Sequence, residues 1–165
     1  MDQYQTMIQR TVAAVIDHYI IRSAQMLFFW LVGADLATPI SLVCAFIVSV
    51  LPVSYMVYMH GRFGQTLGKY FCGVKVLALN GARVTYEQAI RRDIVPCLLL
   101  PVWVWTTGYL AIYRVYPPSI MFRWALYIGI YWTLLEIITM LFNEQRRALQ
   151  DYVAKTVVVR VKRPL

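Results

Sequence analysis

The stretch that most constrains this chain is a long apolar segment that contains ionisable side chains. It runs from Arg10 to Gly33, reads RTVAAVIDHYIIRSAQMLFFWLVG, and is long enough to cross a bilayer. Four ionisable residues interrupt it: Arg10, Asp17, His18 and Arg22. A charge at mid-membrane depth costs about 2.5–3.5 kcal/mol on insertion scales. We therefore predict that this helix lies in a bundle whose other helices supply partners for these groups.

The composition is typical of an integral membrane protein. Hydrophobic residues make up 60% of the sequence, compared with about 45–50% in an ordinary soluble domain. This excess occurs in long runs, and the net charge is +8. In a membrane protein, Lys and Arg collect in the loops that stay cytoplasmic. The basic charge is explained in this way, so we predict no nucleic-acid partner and take the lipid bilayer as the first partner.

Four apolar segments have the length of membrane-spanning helices. They cover about residues 10–31, 40–59, 94–113 and 120–142. The loop at 60–93 and the tail at 143–165 each carry six basic residues, whereas the two outer turns and adjacent helix ends carry two. Because basic residues stay inside, we predict an all-α, four-helix membrane bundle with both termini in the cytoplasm. The whole chain, residues 1–165, would form a single domain.

The loop and the tail are predicted to form a small cytoplasmic β element. The sequence VKVLALNGARVTY alternates around Asn-Gly at 80–81, which is a strong hairpin signal. This pattern predicts a hairpin over residues 74–86. Thr156–Lys162 alternates and is rich in β-branched residues, so it would add a third strand. Thr85 and Gln88 have capping-box spacing, which predicts that a helix begins there.

The Gly64–Lys69 block, GQTLGK, resembles a phosphate-binding loop only superficially. Such a loop needs four residues between its glycines and Ser or Thr after its Lys, whereas this block has three residues and Tyr70. We interpret the glycines as points where the backbone approaches a neighbour or lipid headgroups closely. The sequence also lacks a Ser/His/Asp arrangement, an HExxH motif and cysteines at metal-ligand spacing. We therefore predict no enzymatic activity, no cofactor and no metal site.

Two carboxylates at similar predicted depth are candidates for an ion site. Asp17 and Glu136 each lie about seven residues from the inner end of their helix. Two nearby carboxylates could share a proton or a small cation, because proximity and burial raise one pKa towards neutrality. His18 could relay protons, and Arg22 lies nearby. The alternative is a structural polar network in which each of these groups pairs separately.

A second pair of residues is predicted to join the first helix to the tail. Arg10 lies at the cytoplasmic end of its helix, where Asp151 of a tail helix could reach it. The alternative is that Arg10 only extends to the lipid headgroups. Lys69, Arg91 and Arg92 are interpreted as lipid or loop contacts, because basic residues near a membrane surface attract anionic headgroups.

Three pieces of the sequence together resemble the RDD family of small bacterial membrane proteins. The first is R-x2-A-x3-D at Arg10, Ala13 and Asp17, and the second is GQTLGK, which continues through Gly73-Val-Lys-Val to Asn80-Gly81. The third has the pattern A-L-x-D-x-x-A-x-T-x-V and consists of Ala148, Leu149, Asp151, Ala154, Thr156 and Val158. The resemblance covers nearly the whole chain. Two departures are Lys155, where many relatives have Gly, and Gln150, where His often precedes the Asp.

The resemblance implies a multi-pass protein of the bacterial inner membrane with a role in transport, and some family members have been connected with sodium/proton exchange. The first functional hypothesis is therefore a small transporter that exchanges a monovalent cation for protons. Because four helices form a thin pathway, a transporter would be expected to act as a homo-oligomer. The competing hypothesis is a non-transporting accessory or assembly subunit, whose intramembrane charges pair with another membrane protein.

Overall fold

The structure is a computed structural model that describes residues 4–32, 38–113, 120–143 and 145–161. These residues are mostly helical and include a small two-stranded sheet. In chain order the elements are α1 (Met7–Val32), α2 (Thr38–Phe63), α3 (Leu67–Phe71), β1 (Val74–Ala78), α4 (Tyr86–Arg92), α5 (Ile94–Tyr113), α6 (Ile120–Leu141), α7 (Leu149–Val153) and β2 (Thr156–Arg160).

Long helices occupy all four positions at which the sequence predicts a span. By length and apolar composition, two helical segments of the described chain could cross a membrane, namely Pro39–Phe63 and Arg123–Leu141. A third candidate is α4 together with Ile94–Leu110 of α5, which bend by 68° where they meet. The helix α1 is not in this set, and polar residues divide its apolar sequence. The complete four-helix bundle and its orientation therefore stay predictions.

Hydrogen bonds from polar side chains connect the long helices. The helices α2 and α5 lie side by side, and the hydroxyls of Ser49 and Thr107 are 2.6 Å apart between them. The helix α1 packs mainly on the short helix α3, while its Gln25 side chain donates to the Val48 carbonyl of α2 at 3.0 Å. Hydrogen bonds of this kind are a usual means of joining helices in an apolar environment.

The sheet pairs the middle loop with the tail, and here the predicted hairpin is wrong. Strand β1 runs antiparallel to β2, with Val74 opposite Arg160 and Ala78 opposite Thr156. The tail strand is therefore present, but as the direct partner of β1 rather than as a third strand. Residues 82–85 form no strand.

The reason is that the turn after β1 leads into a helix. Gly81 has φ +78°, and the Ala78 N–H donates to the Ala82 carbonyl at 3.0 Å, so the predicted tight turn exists. The capping box is also confirmed: the Thr85 hydroxyl accepts from the Gln88 N–H, and the Gln88 side chain accepts from the Thr85 N–H. Thr85 thus starts α4 before a second strand can form.

The buried apolar core lies beneath this sheet. It consists of Val74, Val76, Val84, Ala89 and Val158, with Val57 of α2 packed against it. Strand β1 contributes alternate buried residues, as expected for a strand with one face covered. This core fixes α4 and the tail against the end of α2, and so it determines where the polar residues of these elements meet.

Candidate functional site

Three ionisable residues that are far apart in sequence meet at the end of α1. Arg10 Nη2 donates to Asp151 Oδ2 at 2.6 Å, and Arg10 Nη1 donates to the Arg146 carbonyl at 2.9 Å. The guanidinium of Arg92 donates to the other carboxylate oxygen, Asp151 Oδ1. We call Arg10, Arg92 and Asp151 the Asp151 cluster. The predicted contact between Arg10 and Asp151 is thus present.

The Asp151 cluster is buried and strongly coupled. Asp151 is 0% exposed and Arg92 is 1% exposed. Burial alone would raise the pKa of the Asp151 carboxyl, but the guanidinium groups of Arg92 and Arg10 lower this pKa to about 2. Arg92 was predicted to be a lipid or loop contact, and a side chain this deeply buried contacts the tail carboxylate rather than headgroups. Its basic group instead neutralises the tail carboxylate together with Arg10.

Asp17 is held by three hydrogen bonds from α2 and from the start of α3. Its Oδ2 accepts from the Thr66 hydroxyl at 2.5 Å, and its Oδ1 accepts from the Gly68 N–H at 2.8 Å. The Tyr55 hydroxyl donates to the same Oδ1 at 3.0 Å. A carboxylate in front of the first N–H groups of a helix satisfies donors that have no partner within the helix. Asp17 therefore fixes α3 onto α1.

The GQTLGK block is the other half of this contact. Gly64 has φ +70°, and its carbonyl accepts from the Val76 N–H at 2.7 Å, which turns the chain from α2 towards β1. Thr66 is the N-cap of α3. A Cβ atom at Gly68 would lie 2.2 Å from the Ala13 carbonyl oxygen, so only glycine fits there. The close approach predicted for these glycines is confirmed at Gly68.

A third polar group connects α2, α3 and the junction between α4 and α5. His60 Nδ1 lies 3.1 Å from Asp93 Oδ2, and Lys69 Nζ lies 2.5 Å from His60 Nε2. A neutral imidazole that donates from Nδ1 to Asp93 can accept at Nε2 from the ammonium group. His60 is 2% exposed and Asp93 is 7% exposed. We call Asp93, His60 and Lys69 the His60 bridge.

The His60 bridge contains a basic group that can change its charge near neutral pH. The stem of Lys69 is partly exposed, but its amine lies against His60. Burial, and then the nearby positive charge of Arg92, lower the pKa of the Lys69 amine to about 7. Asp93 and Asp151 oppose this shift, while Arg10 adds to it. A small change in the surroundings of Lys69 would therefore bind or release a proton.

His60 and Asp93 were not predicted from the sequence to be site residues. These residues are 33 positions apart, and neither lies in a recognisable local motif. One available signal is that each stands where an apolar span meets the polar loop, with His60 after the second span and Asp93 before the third. Both spans end on the same side of a bundle, so their terminal residues are expected to be neighbours.

The predicted ion-site residues do not form one group. Asp17 bonds to Tyr55, Thr66 and Gly68, whereas the charged neighbours of half-buried Glu136 are Arg92, Arg10 and Asp151. The two carboxylates therefore do not share a hydrogen bond. His18 and Arg22 are both exposed on α1, and the ring of His18 contacts the ring of Tyr19 edge-on.

The remaining basic residues of the loop differ in their environment. Arg91 is exposed and donates to Glu87 at 2.5 Å, one helical turn away. It lies on the surface of α4, where an anionic headgroup could approach it. Lys69 lies in the His60 bridge, so it is a loop contact. Among the described residues, no group of three or more His, Cys, Asp or Glu side chains could hold a metal ion.

Comparison with known proteins gives one match. A model of the RDD family matches residues 4–155, which include the Asp151 cluster, the His60 bridge and Asp17. No curated protein and no solved structure matches the chain.

Proposed function

The chain belongs to the RDD family, and we propose that it is a small transporter that exchanges a monovalent cation for protons. The match to this family and the long apolar helices mark it as an integral membrane protein. In the proposed exchange, the proton is carried by the His60 bridge. Asp17 has a structural role, because its hydrogen bonds join α1 to α2 and to the start of α3.

The observation that carries this proposal is the balance between positive and negative charges where the Asp151 cluster, the His60 bridge and Glu136 meet. The Asp151 cluster interacts electrostatically both with the His60 bridge and with Glu136. Their basic members are Arg10, Lys69 and Arg92, and their acidic members are Asp93, Glu136 and Asp151. Counted in ionised form, these charges cancel only while Lys69 holds its proton. Loss of that proton leaves one uncompensated negative charge, which a monovalent cation can neutralise.

This balance makes proton binding and cation binding compete. A cation bound among these charged groups would disfavour the ammonium form of Lys69, and a protonated Lys69 would disfavour the cation. Because such coupling is reciprocal, either ion can displace the other. Glu136 lies in α6, and ionisable residues within membrane-spanning helices frequently mark ion pathways. The low pKa of the Lys69 amine supports its role as the group that gains and loses the proton.

The proposed arrangement in the cell follows from the same charges. The helices α1, α2, α5 and α6 would each cross the bacterial inner membrane, with both termini and the polar end facing the cytoplasm. Anionic lipid headgroups would contact Arg91, which is exposed on α4. Since the four helices of one copy leave little room for a transport pathway between them, two or more copies would assemble for transport.

Exchange can be tested with purified protein in liposomes that contain a pH-sensitive dye. A pH gradient should dissipate when Na⁺, K⁺ or Li⁺ is added outside. Lys69→Met should abolish this exchange, and Lys69→Arg should do so as well, because arginine does not release its proton. Lys75→Met is the matched control, since it removes a lysine from β1 without changing the His60 bridge, and its exchange should equal that of the wild type.

Two outcomes would contradict the assignment. If Lys69→Met exchanges as fast as the wild type, the His60 bridge does not carry the proton. If Asp17→Asn folds normally but has no exchange, the ion site lies at Asp17 instead. Liposomes that stay inert with every cation would favour the accessory-subunit hypothesis. One observation supports that alternative, namely the outward position of His18 and Arg22 on α1.

A further inference from the structure

The helix α1 has a largely apolar face with two ionisable side chains that the rest of the described chain does not cover. Its buried residues recur at helical spacing and include Arg10, Ala13, Asp17 and Ile21. Four exposed residues at spacings of three or four form another face. We call this set the α1 outer face: Val15, His18, Arg22 and Met26.

Arg22 is the unusual member of this face. Among the described residues it has neither a hydrogen-bond partner nor an ion-pair partner. His18 lies one helical turn before it, and its ring contacts the neighbouring Tyr19 ring edge-on. The residues around them are apolar and exposed, with Val15 at 50% and Met26 at 73%. An isolated cation thus stands in an otherwise apolar surface.

The depth of Arg22 makes this isolation costly. It lies about 18 Å along the helix axis from Arg10, because each helical residue adds about 1.5 Å. If Arg10 marks the cytoplasmic end of α1, Arg22 lies well inside the hydrocarbon region. Side chains on a helix point back towards its N-terminus. The guanidinium is therefore directed away from the outer surface, and extension to the outer headgroups is disfavoured.

We propose that the α1 outer face binds a membrane-spanning helix of another protein, and that an acidic side chain of that helix lies between His18 and Arg22. A guanidinium pairs with a carboxylate through two parallel hydrogen bonds, and a histidine one turn away can donate a third. This proposal requires that α1 crosses the bilayer, and it is independent of whether the chain transports ions.

The described part of a second copy of this chain does not supply the required acid. Of the five acidic residues that the structure describes, Asp17, Asp93 and Asp151 are buried and bonded. Glu87 pairs with Arg91 on α4. Glu136 is the remaining one, but its charged neighbours include Arg10 and Arg92, so it lies near the Arg10 end of α1. In two copies inserted in the same orientation, Glu136 of one copy and Arg22 of the other would therefore lie at different depths in the bilayer.

The proposal can be tested with a synthetic probe in neutral phosphatidylcholine vesicles. The probe is a leucine-rich transmembrane peptide without tryptophan that carries one central Glu and a dansyl group. Energy transfer from the tryptophans of the protein, among them the exposed Trp30 of α1, reports association. We expect the Glu peptide to associate at least ten times more tightly than the same peptide with Gln. Arg22→Leu should remove this preference.

Arg123→Leu is the matched control, because Arg123 is also exposed but stands in the first turn of α6. This variant should retain the preference for Glu. Equal association of the Glu and Gln peptides, or a preference that survives in Arg22→Leu, would overturn the proposal. Self-association of the protein without peptide that depends on Arg22 would assign the face to a second copy instead and would also overturn it. Since no ion flux is measured, the result does not depend on the transport assay.

Discussion

At the scale of single residues, Arg10, Asp17 and Asp151, which belong to the first and third sequence motifs, have a structural explanation in this chain. Arg10 and Asp151 pair with each other, while Asp17 receives donors from Tyr55, Thr66 and Gly68. These residues join segments that are distant in sequence. The residue in a position to change its charge near neutral pH is Lys69, which contacts none of the three directly through a hydrogen bond described in the structure.

Asp17→Asn should destabilise the protein. An amide offers one acceptor oxygen in place of two, so either Thr66 or the Gly68 N–H loses its partner. Leaving a buried donor unsatisfied costs about 1–3 kcal/mol. The measurement is the thermal unfolding midpoint of purified protein in detergent. Glu87→Gln, which changes an exposed carboxylate on α4, should leave the midpoint unchanged, and an equal midpoint in Asp17→Asn would contradict this role.

Stability should rise with pH above neutrality because of Lys69. Its folded pKa of about 7 lies below the ordinary value of 10.5, so the unfolded chain binds the proton more tightly. In the folded state, a charged Lys69 is unfavourable because it is buried. As the pH rises from 7 towards 10.5, folded Lys69 loses its proton, so the free energy of unfolding increases. Below pH 7, folded Lys69 is charged and the destabilisation is at its full size. Unfolding followed between pH 7 and 9 should show the rise in the wild type.

The control for this pH dependence is Lys69→Met, which lacks the titrating group. Its stability should change less between pH 7 and 9 than that of the wild type. Lys75→Met, in β1, should retain the wild-type slope. The same slope in all three proteins would show that Lys69 has an ordinary pKa.

At the scale of elements, the sequence predicted the helices well and the sheet only in part. The positions of the long helices followed from apolar length, and the start of α4 followed from the spacing of Thr85 and Gln88. The pairing of β1 with β2 could not be predicted, because a local turn signal does not reveal which distant strand competes for the same edge. Here β2 supplies Val157, Val158 and Val159, whereas residues 82–85 enter a helix cap.

The candidate site was predictable where the expected topology placed two residues at the same membrane surface. Arg10 and Asp151 could be paired because both were expected at the cytoplasmic surface. His18 and Arg22 were expected inside the bundle, since hydropathy alone does not specify which face of a helix packs. The position of Asp17 against α3 depends on one backbone N–H, that of Gly68, and on the hydroxyls of Thr66 and Tyr55. These donors come from distant positions, and no local sequence pattern connects them with Asp17.

Gly68→Ala should separate α3 from α1. The new methyl group would lie 2.2 Å from the backbone oxygen of Ala13, which cannot move without bending α1. Overpacking of this kind costs about 1–3 kcal/mol, and unfolding in detergent would measure it. Gly129→Ala is the matched control, because a Cβ there meets no atom within 4 Å. The control should be neutral or stabilising by up to about 1 kcal/mol, since alanine favours a helix.

At the scale of the whole molecule, polar contacts gather at one end of the long helices. The sheet, the Asp151 cluster and the His60 bridge adjoin that end. Apolar side chains dominate the exposed surface of α2 and α6. This asymmetry is the one expected of a membrane protein whose cytoplasmic side is folded and whose remaining surface contacts lipid.

The proposed orientation can be tested by labelling single cysteines in a variant in which Cys44, Cys72 and Cys97 have been replaced. Arg83→Cys lies after β1 and should react with a membrane-impermeant maleimide only when the cytoplasmic side is accessible. Tyr113→Cys, at the end of α5, is exposed and should react from the outside in intact cells. Labelling of both positions from the same side would contradict the predicted topology.

The Asp151 cluster also sets an order of events during biosynthesis. The partner of Arg10, Asp151, is synthesised 141 positions later in the chain. Arg92 pairs with the same residue, which is synthesised 59 positions after it. At roughly 5–20 residues per second of translation, Arg10 stays unneutralised for about 7–28 s after it is made. The helices that precede Asp151 are therefore synthesised before the Asp151 cluster can form. A ribosome that stalls before Asp151 would leave two buried arginines without a counter-charge, and a quality-control protease could recognise such an incomplete protein.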